Sequence, residues 1–372
     1  CGEIYSEKLE NQLRNIAGAL GSKADTKINV GDRKFVGLDA YQKVIDSGVD
    51  VVLLCTPPGF RPAQFEYAIE AGKHCFVEKP CATDVAGVKR FMDAGQKAKE
   101  KGLSVLAGFC YRYSDNGREL FQRVLDGEVG DIMSIHATYW ANVVKPMPPE
   151  ADRPAGMSEV EWQIKNWYNY AWLGGDGIVE QGIHSVDKVF WAMGDRLPIA
   201  VYGMGGRQRP NNRSNTYDHF HITYEFEDGV RCHVDWSQYG AGPFKENKDY
   251  IRGTKGEATF DISSAAITGE NPWRWRKPRE PRNMYQIEHD EFFANIRKGE
   301  RHADEDWMVQ STMLGIIGRM AAYTGKKLTY DEVMATGEEI VPSSLDWEGD
   351  LPFREIAIPG GQGPHKYPYP AA

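Results

Sequence analysis

Residues 49–80, VDVVLLCTPPGFRPAQFEYAIEAGKHCFVEKP, decide the fold that this chain is predicted to adopt. The apolar run Val49–Cys55 is typical of a strand buried on both faces, and Thr56-Pro57-Pro58 turns the chain after it. A helix-length segment, Ala63–Ala71, precedes a second apolar strand, His74–Val77. Strand, helix and strand at this spacing form a βαβ unit, which requires a parallel sheet.

Polar and proline residues follow both strands, at the edge where parallel sheets bind their ligands. Thr56 and Pro57 come after the first strand, and Glu78, Lys79 and Pro80 come after the second. Proline ends the strand ladder, and an X-Pro bond in a tight turn can be cis. A lysine beside a glutamate here can orient and polarise a hydroxyl group. The alternative is a surface ion pair that merely ends a strand.

The composition indicates a globular protein with room for two domains. The chain has 372 residues, of which 41% are hydrophobic and 26% charged, and its net charge is −9. The negative charge argues against nucleic acid as a partner, and no apolar run is long enough to span a bilayer. The six cysteines include no Cys-x-x-Cys pair, which favours reduced thiols over a disulfide framework.

After residue 113 the pattern changes from alternating strands and helices to a run of strands. Ile132–Trp140 alternates as a half-buried strand should. Further strands are predicted at 199–205, 219–226, 230–237, 249–252 and 258–262. Helices are predicted at 285–297 and 306–324, and the tail 341–372 is expected to lie extended on the surface. We therefore predict two domains, 1–113 and 114–372, the second built from an antiparallel sheet and helices.

A second motif, Gly174–Asp187, combines a glycine run with titratable side chains. We predict that the glycines lead into a helix with Glu180, His184 and Asp187 on one face, since their spacings are four and three. A histidine flanked by carboxylates is a candidate general base. The same three residues could bind a metal ion, which we favour less, so no metal is expected. The structural alternative is a half-buried helix with a hydrogen-bonded histidine.

Aromatic residues crowd the chain near both motifs. Tyr111 and Arg112 follow another predicted strand, 103–109, and so point to the same edge of the sheet. Trp167 belongs to a group of five aromatic residues between 162 and 172, just before the glycine run. A sugar ring needs flat apolar faces and hydrogen-bond donors, which such side chains supply. Core packing is the alternative for most of them.

The glycine-rich fingerprint of a dinucleotide-binding enzyme is absent from the sequence. Such enzymes carry Gly-x-Gly-x-x-Gly between a first strand and a helix. Gly203-Met204-Gly205-Gly206 has Gln208 where a third glycine would be needed. The chain therefore lacks the phosphate-binding element that is easiest to identify.

Taken together, the motifs resemble the glucose-fructose oxidoreductase, inositol dehydrogenase and rhizopine-catabolism family, usually shortened to Gfo/Idh/MocA. The resemblance rests on residues 51–58, on Ala71-Gly72-Lys73-His74 before Phe76–Pro80, and on Gly182-Ile183-His184 with Asp187. Gly253–Gly256 and Tyr323–Lys326 extend it. It implies a Rossmann domain, here without its first strand and glycine-rich loop, and an α+β domain with a large, open, mainly antiparallel sheet. It also implies a homodimer or homotetramer through that sheet.

The resemblance also assigns roles to residues. Lys79 corresponds to the lysine that touches both cofactor and substrate, and His184 to the catalytic histidine. Glu180 stands where the family usually has an aspartate, which puts the proton relay in doubt. We expect Thr56, Pro57 and Glu78 to line the cofactor beside Lys79. We expect Tyr111, Arg112, Trp167 and Asp187 to shape the sugar site.

Glu3 matches the acidic residue that binds the adenosine ribose in the family. A carboxylate repels a 2′-phosphate, so NAD is favoured over NADP. By this alignment the first strand, the glycine loop and the first helix would precede Cys1, and we expect the natural protein to contain them. Many relatives carry a secretion signal, and any such signal would then also lie upstream, so a cytoplasmic location is favoured only slightly over a periplasmic or secreted one.

Three functions follow from the resemblance and the residues. The first is an NAD(P)-dependent oxidoreductase that acts on a hydroxyl group of a sugar or polyol. The second uses the same site with bound NAD to cleave or rearrange a glycoside without net redox change. The third is a non-catalytic sugar-binding homologue.

Overall fold

The computed structural model describes residues 1–209, 213–240, 244–349, 351 and 354–359. Its strands are β1 (Gly2–Glu3), β2 (Phe35–Val36), β3 (Val51–Leu54), β4 (His74–Glu78), β5 (Val105–Gly108), β6 (Ile132–Ala141), β7 (Ala200–Gly206), β8 (His219–Glu225), β9 (Arg231–Gln238), β10 (Glu246–Gly253), β11 (Gly256–Asp261), β12 (Ser264–Gly269) and β13 (Trp273–Arg274).

Its helices are α1 (Ser6–Leu20), α2 (Ala24–Lys27), α3 (Ala40–Asp46), α4 (Arg61–Glu70), α5 (Val85–Glu100), α6 (Asp115–Leu125), α7 (Glu159–Lys165), α8 (Ala171–Gly174), α9 (Gly177–Glu180), α10 (Ile183–Ala192), α11 (Met284–Lys298), α12 (Glu305–Thr324) and α13 (Tyr330–Thr336).

The parallel sheet predicted from residues 49–80 is present. Strands β3, β4 and β5 lie side by side in that order, and all pairs are parallel. One face packs against α4 and α5, and α11 packs against the other, where Ile287 and Phe292 share a buried apolar cluster with Phe76. The expectation that the first strand is buried on both faces is wrong for one face, on which Leu53 and Cys55 are exposed. Leu53 of β3 is 52% exposed, because α11 covers β4 and β5 but leaves this end of the sheet open.

The first residues of the chain form a separate pair of strands. β1 and β2 are parallel to each other, with Glu3 opposite Val36. Within the described ranges, this pair is not hydrogen-bonded to the three-stranded sheet. Glu3 therefore lies at the carboxyl end of a parallel strand of its own.

The large sheet has eight strands in the order β13-β12-β11-β10-β6-β9-β8-β7. Only β6 and β9 are parallel neighbours among these pairs, so the predicted open, mainly antiparallel sheet is confirmed. Helices α10 and α12 pack on one face, where Ile135, Ile222 and Val234 are buried. Two strands, β12 and β13, were not predicted, because 264–269 alternates only weakly and 273–274 is too short to give a pattern.

Helix α12 joins the two parts of the molecule. Sixteen of its residues are buried, and it packs against α5 and β5 on one side and α10, β7 and β8 on the other. The tail also returns to the body: Ile340, Val341 and Trp347 contact the cluster around Trp162 and Trp172. Residues 360–372 of the predicted extended tail lie outside the described residues. The boundary at residue 113 stays a prediction.

A helix that spans a membrane must be both long and apolar. Among the helices in the described ranges, none combines the length and the apolar character needed to cross a bilayer.

Candidate functional site

The site is built around Lys79, directly after β4. Its ammonium group lies 3.1 Å from Oε1 of Glu180 and also donates to the backbone carbonyl oxygen of Glu180. The Lys79–Pro80 peptide bond is cis, as the sequence allowed. Arg61 donates to the carbonyl oxygen of Pro80 at 2.7 Å, which holds the turn in place. Lys79 therefore points at the segment that carries Glu180 and His184, with little of its side chain exposed.

The prediction of one helix with Glu180, His184 and Asp187 on a shared face is wrong. The chain forms two helices, α9 ending at Glu180 and α10 beginning at Ile183, with a break at Gln181 and Gly182. The break turns Glu180 towards Lys79 and leaves His184 without a carboxylate partner. The sequence predicted that these three side chains form one cluster. In the structure each of them has different surroundings.

His184 lies among aromatic rings in the first turn of α10. Its ring centroid is 5.1 Å from that of Tyr111 and 6.5 Å from that of Tyr139, to which it is nearly parallel. Its Nδ1 atom is buried and has no hydrogen-bond partner in the described structure. Burial, then the positive charges of Lys79 and Lys188, hold the pKa of His184 well below its usual range. The imidazole is therefore neutral at neutral pH and able to accept a proton.

Lys188, one turn further along α10, belongs to a buried ion pair. Its ammonium group lies 2.6 Å from Oδ2 of Asp249 on β10, and both side chains are almost fully buried. The same ammonium group lies 4.9 Å from the centre of the Tyr111 ring. This pair fixes α10 to the large sheet directly behind His184.

Asp187 and Arg112 lie close together because their side chains pair with each other. Arg112 Nε lies 3.0 and 3.1 Å from the two carboxylate oxygens of Asp187, and Ser311 donates to Asp187 at 2.6 Å. Arg112 also bonds Asp195 and stacks 4.2 Å from the Trp307 ring. Both groups are already satisfied, so the pair ties α10 to the end of β5 and supports His184 from behind.

The two aromatic residues predicted for the sugar site occupy different places. Tyr111 is buried beside His184, and its hydroxyl accepts a hydrogen bond of 3.0 Å from Asn247. Trp167 is partly buried in a short helical turn, 167–169, where its ring contacts Tyr168 at 5.5 Å. Tyr111 therefore adjoins His184, whereas Trp167 adjoins Tyr168.

The residues predicted for the cofactor stand at the carboxyl ends of parallel strands. Thr56 donates to Gln64 at 2.5 Å, and Pro57 leads into the turn before α4. The Glu78 carboxylate packs over Gly108, where an added Cβ would lie 2.9 Å from it. Glu3 accepts a hydrogen bond from the backbone of Ile4 at 2.8 Å. No described contact joins Glu3 to Lys79, so the structure does not bring these two together directly.

Several residues close to His184 and Gln181 were not predicted from the sequence. Tyr139 occupies the inward face of β6, a position that the alternation of this strand indicates. Burial and the charge of Glu180 raise its pKa to about 12, so its hydroxyl stays protonated. Gln238 of β9 donates to the Tyr168 hydroxyl at 2.7 Å and to the Gln181 side chain. These contacts join distant parts of the chain, and only the fold reveals them.

The residues around Lys79 and His184 fit part of a nicotinamide cofactor. The buried, unpartnered Nδ1 atom of His184 and the polar ends of β3 and β4 suit the nicotinamide end of such a molecule. Within the described residues, no Gly-x-Gly-x-x-Gly turn joins a strand to a helix for the pyrophosphate. The site therefore fits the nicotinamide half of the cofactor, which is the half that reacts.

Comparison with known proteins identifies the family of the chain. A family model described as "Oxidoreductase family, NAD-binding Rossmann fold" matches residues 11–109, and one described as "GFO/IDH/MocA C-terminal domain" matches residues 118–259. A parallel nucleotide-binding sheet joined to an open sheet defines a two-domain oxidoreductase. The chain belongs to the GFO/IDH/MocA family of NAD-binding oxidoreductases.

Relatives in this family are distant. Inositol 2-dehydrogenase 3 of Saccharopolyspora erythraea is 28% identical over 63% of this chain, which spans 63% of that protein, less than two thirds of its length. Myo-inositol 2-dehydrogenase of Thermotoga maritima is 22% identical over 90% of this chain and 91% of its own. The structure of levoglucosan dehydrogenase in complex with NADH and levoglucosan has a TM-score of 0.67 at 17% identity, and the match covers 88% of this chain and 89% of that one. The structural likeness shows a common fold.

Proposed function

We propose that this protein is an NAD-dependent oxidoreductase that oxidises a hydroxyl group of a sugar or polyol. One observation carries the proposal: Lys79 from the parallel sheet contacts Glu180, four residues before the neutral His184 of α10. The contact of Lys79 with Glu180 and its effect on the pKa of His184 support their proximity. A cationic donor and a neutral base are the two groups that alcohol oxidation requires.

In this proposal His184 accepts the hydroxyl proton. Its neutral imidazole offers a lone pair, and Lys79 donates a hydrogen bond to the same substrate oxygen, which favours loss of that proton. Glu180 is a positioning residue that holds the ammonium group of Lys79 through its carboxylate and its carbonyl oxygen. The pairs Arg112–Asp187 and Lys188–Asp249 keep α10 in place.

Bound NAD supplies the acceptor for the hydride that leaves the substrate carbon. Thr56, Pro57, Glu78 and Lys79 would hold its nicotinamide end, and Glu3 its adenosine ribose. The carboxylate of Glu3 is the reason to prefer NAD to NADP.

The cleft wall supports a hydroxyl-rich substrate. Tyr111, Tyr139 and Tyr168 present ring faces and hydroxyl groups, and Asn247 keeps a buried Oδ1 atom without a hydrogen-bond partner in the described structure. Flat faces suit the CH groups of a sugar ring, and the polar atoms suit its hydroxyls. Inositols, aldoses and anhydrosugars are therefore the compounds to test first.

Absorbance at 340 nm during incubation with NAD⁺ and a panel of these compounds tests the proposal. Formation of NADH with at least one sugar or polyol, abolished in His184→Gln, is expected. Release of an aryl alcohol from aryl glycosides without net NADH would instead favour the redox-neutral reaction. Sugar binding without NAD binding in calorimetry would favour the non-catalytic homologue.

We also propose that the uncovered face of the large sheet pairs two copies of this chain. Met204 of β7 is 68% exposed there, and Phe244 is 70% exposed beside Trp140. His136 and His221 share the Asp235 carboxylate on the same face. A broad sheet face with exposed apolar side chains is suited to a self-complementary interface.

A further inference from the structure

Glu288 is a buried acidic residue that has no role in the reaction proposed above. The residue is only 1% exposed, and its Oε2 atom has no hydrogen-bond partner in the described structure. No ion pair among the described residues includes it. A buried carboxyl oxygen without a hydrogen-bond partner is costly, which makes Glu288 a candidate for contact with a ligand.

The position of Glu288 points to the ligand-binding edge of the parallel sheet. It lies on α11, next to Ile287, which belongs to the same buried apolar cluster as Phe76 of β4, and to His289, whose ring lies 4.6 Å from the Phe76 ring. α11 also contacts β5 and the turn that follows it, 110–113. The side chain is thus held over the sheet from the side opposite α4 and α5.

The groups that face Glu288 come from every element packed against it. They are Glu78 at the end of β4, Cys55 after β3, Cys110 and Tyr113 after β5, and Asp304 before α12. Glu78, Cys55 and Cys110 mark the carboxyl ends of all three parallel strands, which is where a nucleotide cofactor binds. Burial, then the charges of Glu78 and Asp304, raise the pKa of Glu288 to about 8.

We propose that the Glu288 carboxyl group contacts the nicotinamide end of the bound cofactor and distinguishes its oxidised from its reduced form. The proposal rests on the proposed function. The nicotinamide ring is a cation in NAD⁺ and neutral in NADH, so a carboxylate beside it stabilises only the oxidised form. At neutral pH the Glu288 carboxyl group is mostly protonated, and arrival of the cation drives its proton into solvent.

Calorimetry of cofactor binding at pH 7.5, in two buffers with different ionisation heats, measures that proton. Wild type is expected to release about half a proton per NAD⁺ and none per NADH, because an opposite charge within a few ångströms lowers a carboxyl pKa by about one unit or more. Glu288→Gln keeps the shape without the titrating group, so it should bind NADH normally and release no proton with NAD⁺. Asp290→Asn, on the exposed side of the same helix, should behave as wild type.

Two results would overturn the inference alone: wild type binding NAD⁺ without releasing a proton, or Glu288→Gln releasing as much as wild type. NADH binding by the variant reports that it has folded. Failure of wild type to bind either form of the cofactor would overturn the proposed function and this inference together, so the two failures are distinguishable.

Discussion

Glu180 is the residue whose contact defines the site, because its carboxylate and its carbonyl oxygen both receive Lys79. Glu180→Asp withdraws the carboxylate by one methylene, and Glu180→Gln removes its charge. We expect both to lower kcat about ten- to a hundredfold with a smaller change in KM, since misplaced catalytic groups cost about this much. Steady-state kinetics measure this, with Glu119→Gln on the exposed side of α6 as control. Unchanged kcat in both variants would contradict the role.

The titration of Glu288 also predicts how the stability of the folded protein depends on pH. Its carboxyl pKa of about 8 lies above the ordinary value of 4.5, so the folded state retains a proton that the unfolded state releases. Stability therefore falls as pH rises from about 4.5 to 8 and levels off above that range.

Glu288→Gln removes this dependence. We expect the variant to gain about 5 kcal/mol over wild type at pH 8.5 and almost nothing at pH 4, from the size of the pKa shift. Thermal or urea unfolding at the two pH values measures the difference. An equal gain at both would show that the side chain does not titrate as described.

The residues of the site differ in how far the sequence predicts them. Lys79 and His184 belong to motifs at a strand end and a helix start, and the contact of Lys79 with Glu180 brings the two motifs together. The partner of Glu180 was not predictable, because it depends on a helix break that the spacing of side chains does not reveal. Glu288 lies four residues from both Met284 and Phe292, which are buried. An acidic residue on an apolar helix face was therefore a signal in the sequence.

Helix α9 is the element that positions Glu180, and Gly177 sets how closely it packs. An added Cβ at Gly177 would lie 1.9 Å from the Trp236 ring on β9. We expect Gly177→Ala to cost about 1–3 kcal/mol through overpacking and to lower kcat, because α9 must move away from the sheet.

Gly18 of α1 provides the matched control. Its added Cβ would meet nothing within 4 Å, so Gly18→Ala should stabilise the helix by about 0.5–1 kcal/mol. Chemical denaturation of both variants measures the contrast. Equal stability of Gly177→Ala and wild type would mean that α9 packs less tightly than described.

Elements with strong periodicity were predicted well, and weak ones were not. Helix α12 spans Glu305–Thr324, one residue more than the predicted 306–324. The break between α9 and α10 was missed because the whole segment reads as helical, and Gln181 and Gly182 interrupt it only through packing against the sheet. Tertiary contacts thus outweigh local preference at the functional site.

For the whole molecule, assembly through the large sheet is the testable expectation. Met204→Glu places a charge on the exposed face of β7, so it should weaken association and increase the proportion of monomer. Sedimentation velocity measures this change. Met92→Glu, on exposed α5 away from the sheet, should leave the assembly intact. A wild-type protein that is monomeric at all concentrations would contradict the proposed interface.

The topology of the whole molecule follows only partly from the sequence. The βαβ unit and the run of later strands predicted two kinds of sheet, and both are present. The order of the eight strands was not predictable, since β6 pairs with β9 and β10 rather than with its neighbours in the chain. The return of α11 and α12 to the parallel sheet likewise depends on long-range packing that no local pattern contains.

The meeting of Lys79 and His184 in one cleft is tested most directly by the pH dependence of kcat/KM for wild type and Lys79→Gln. Wild type should keep its activity well below pH 6.5, because burial and the nearby ammonium groups keep His184 neutral there. Lys79→Gln should be slower, and the acidic limb of its profile should move to higher pH, since a positive neighbour of the imidazole is lost. An acidic limb at the same pH in both proteins would contradict a shared site.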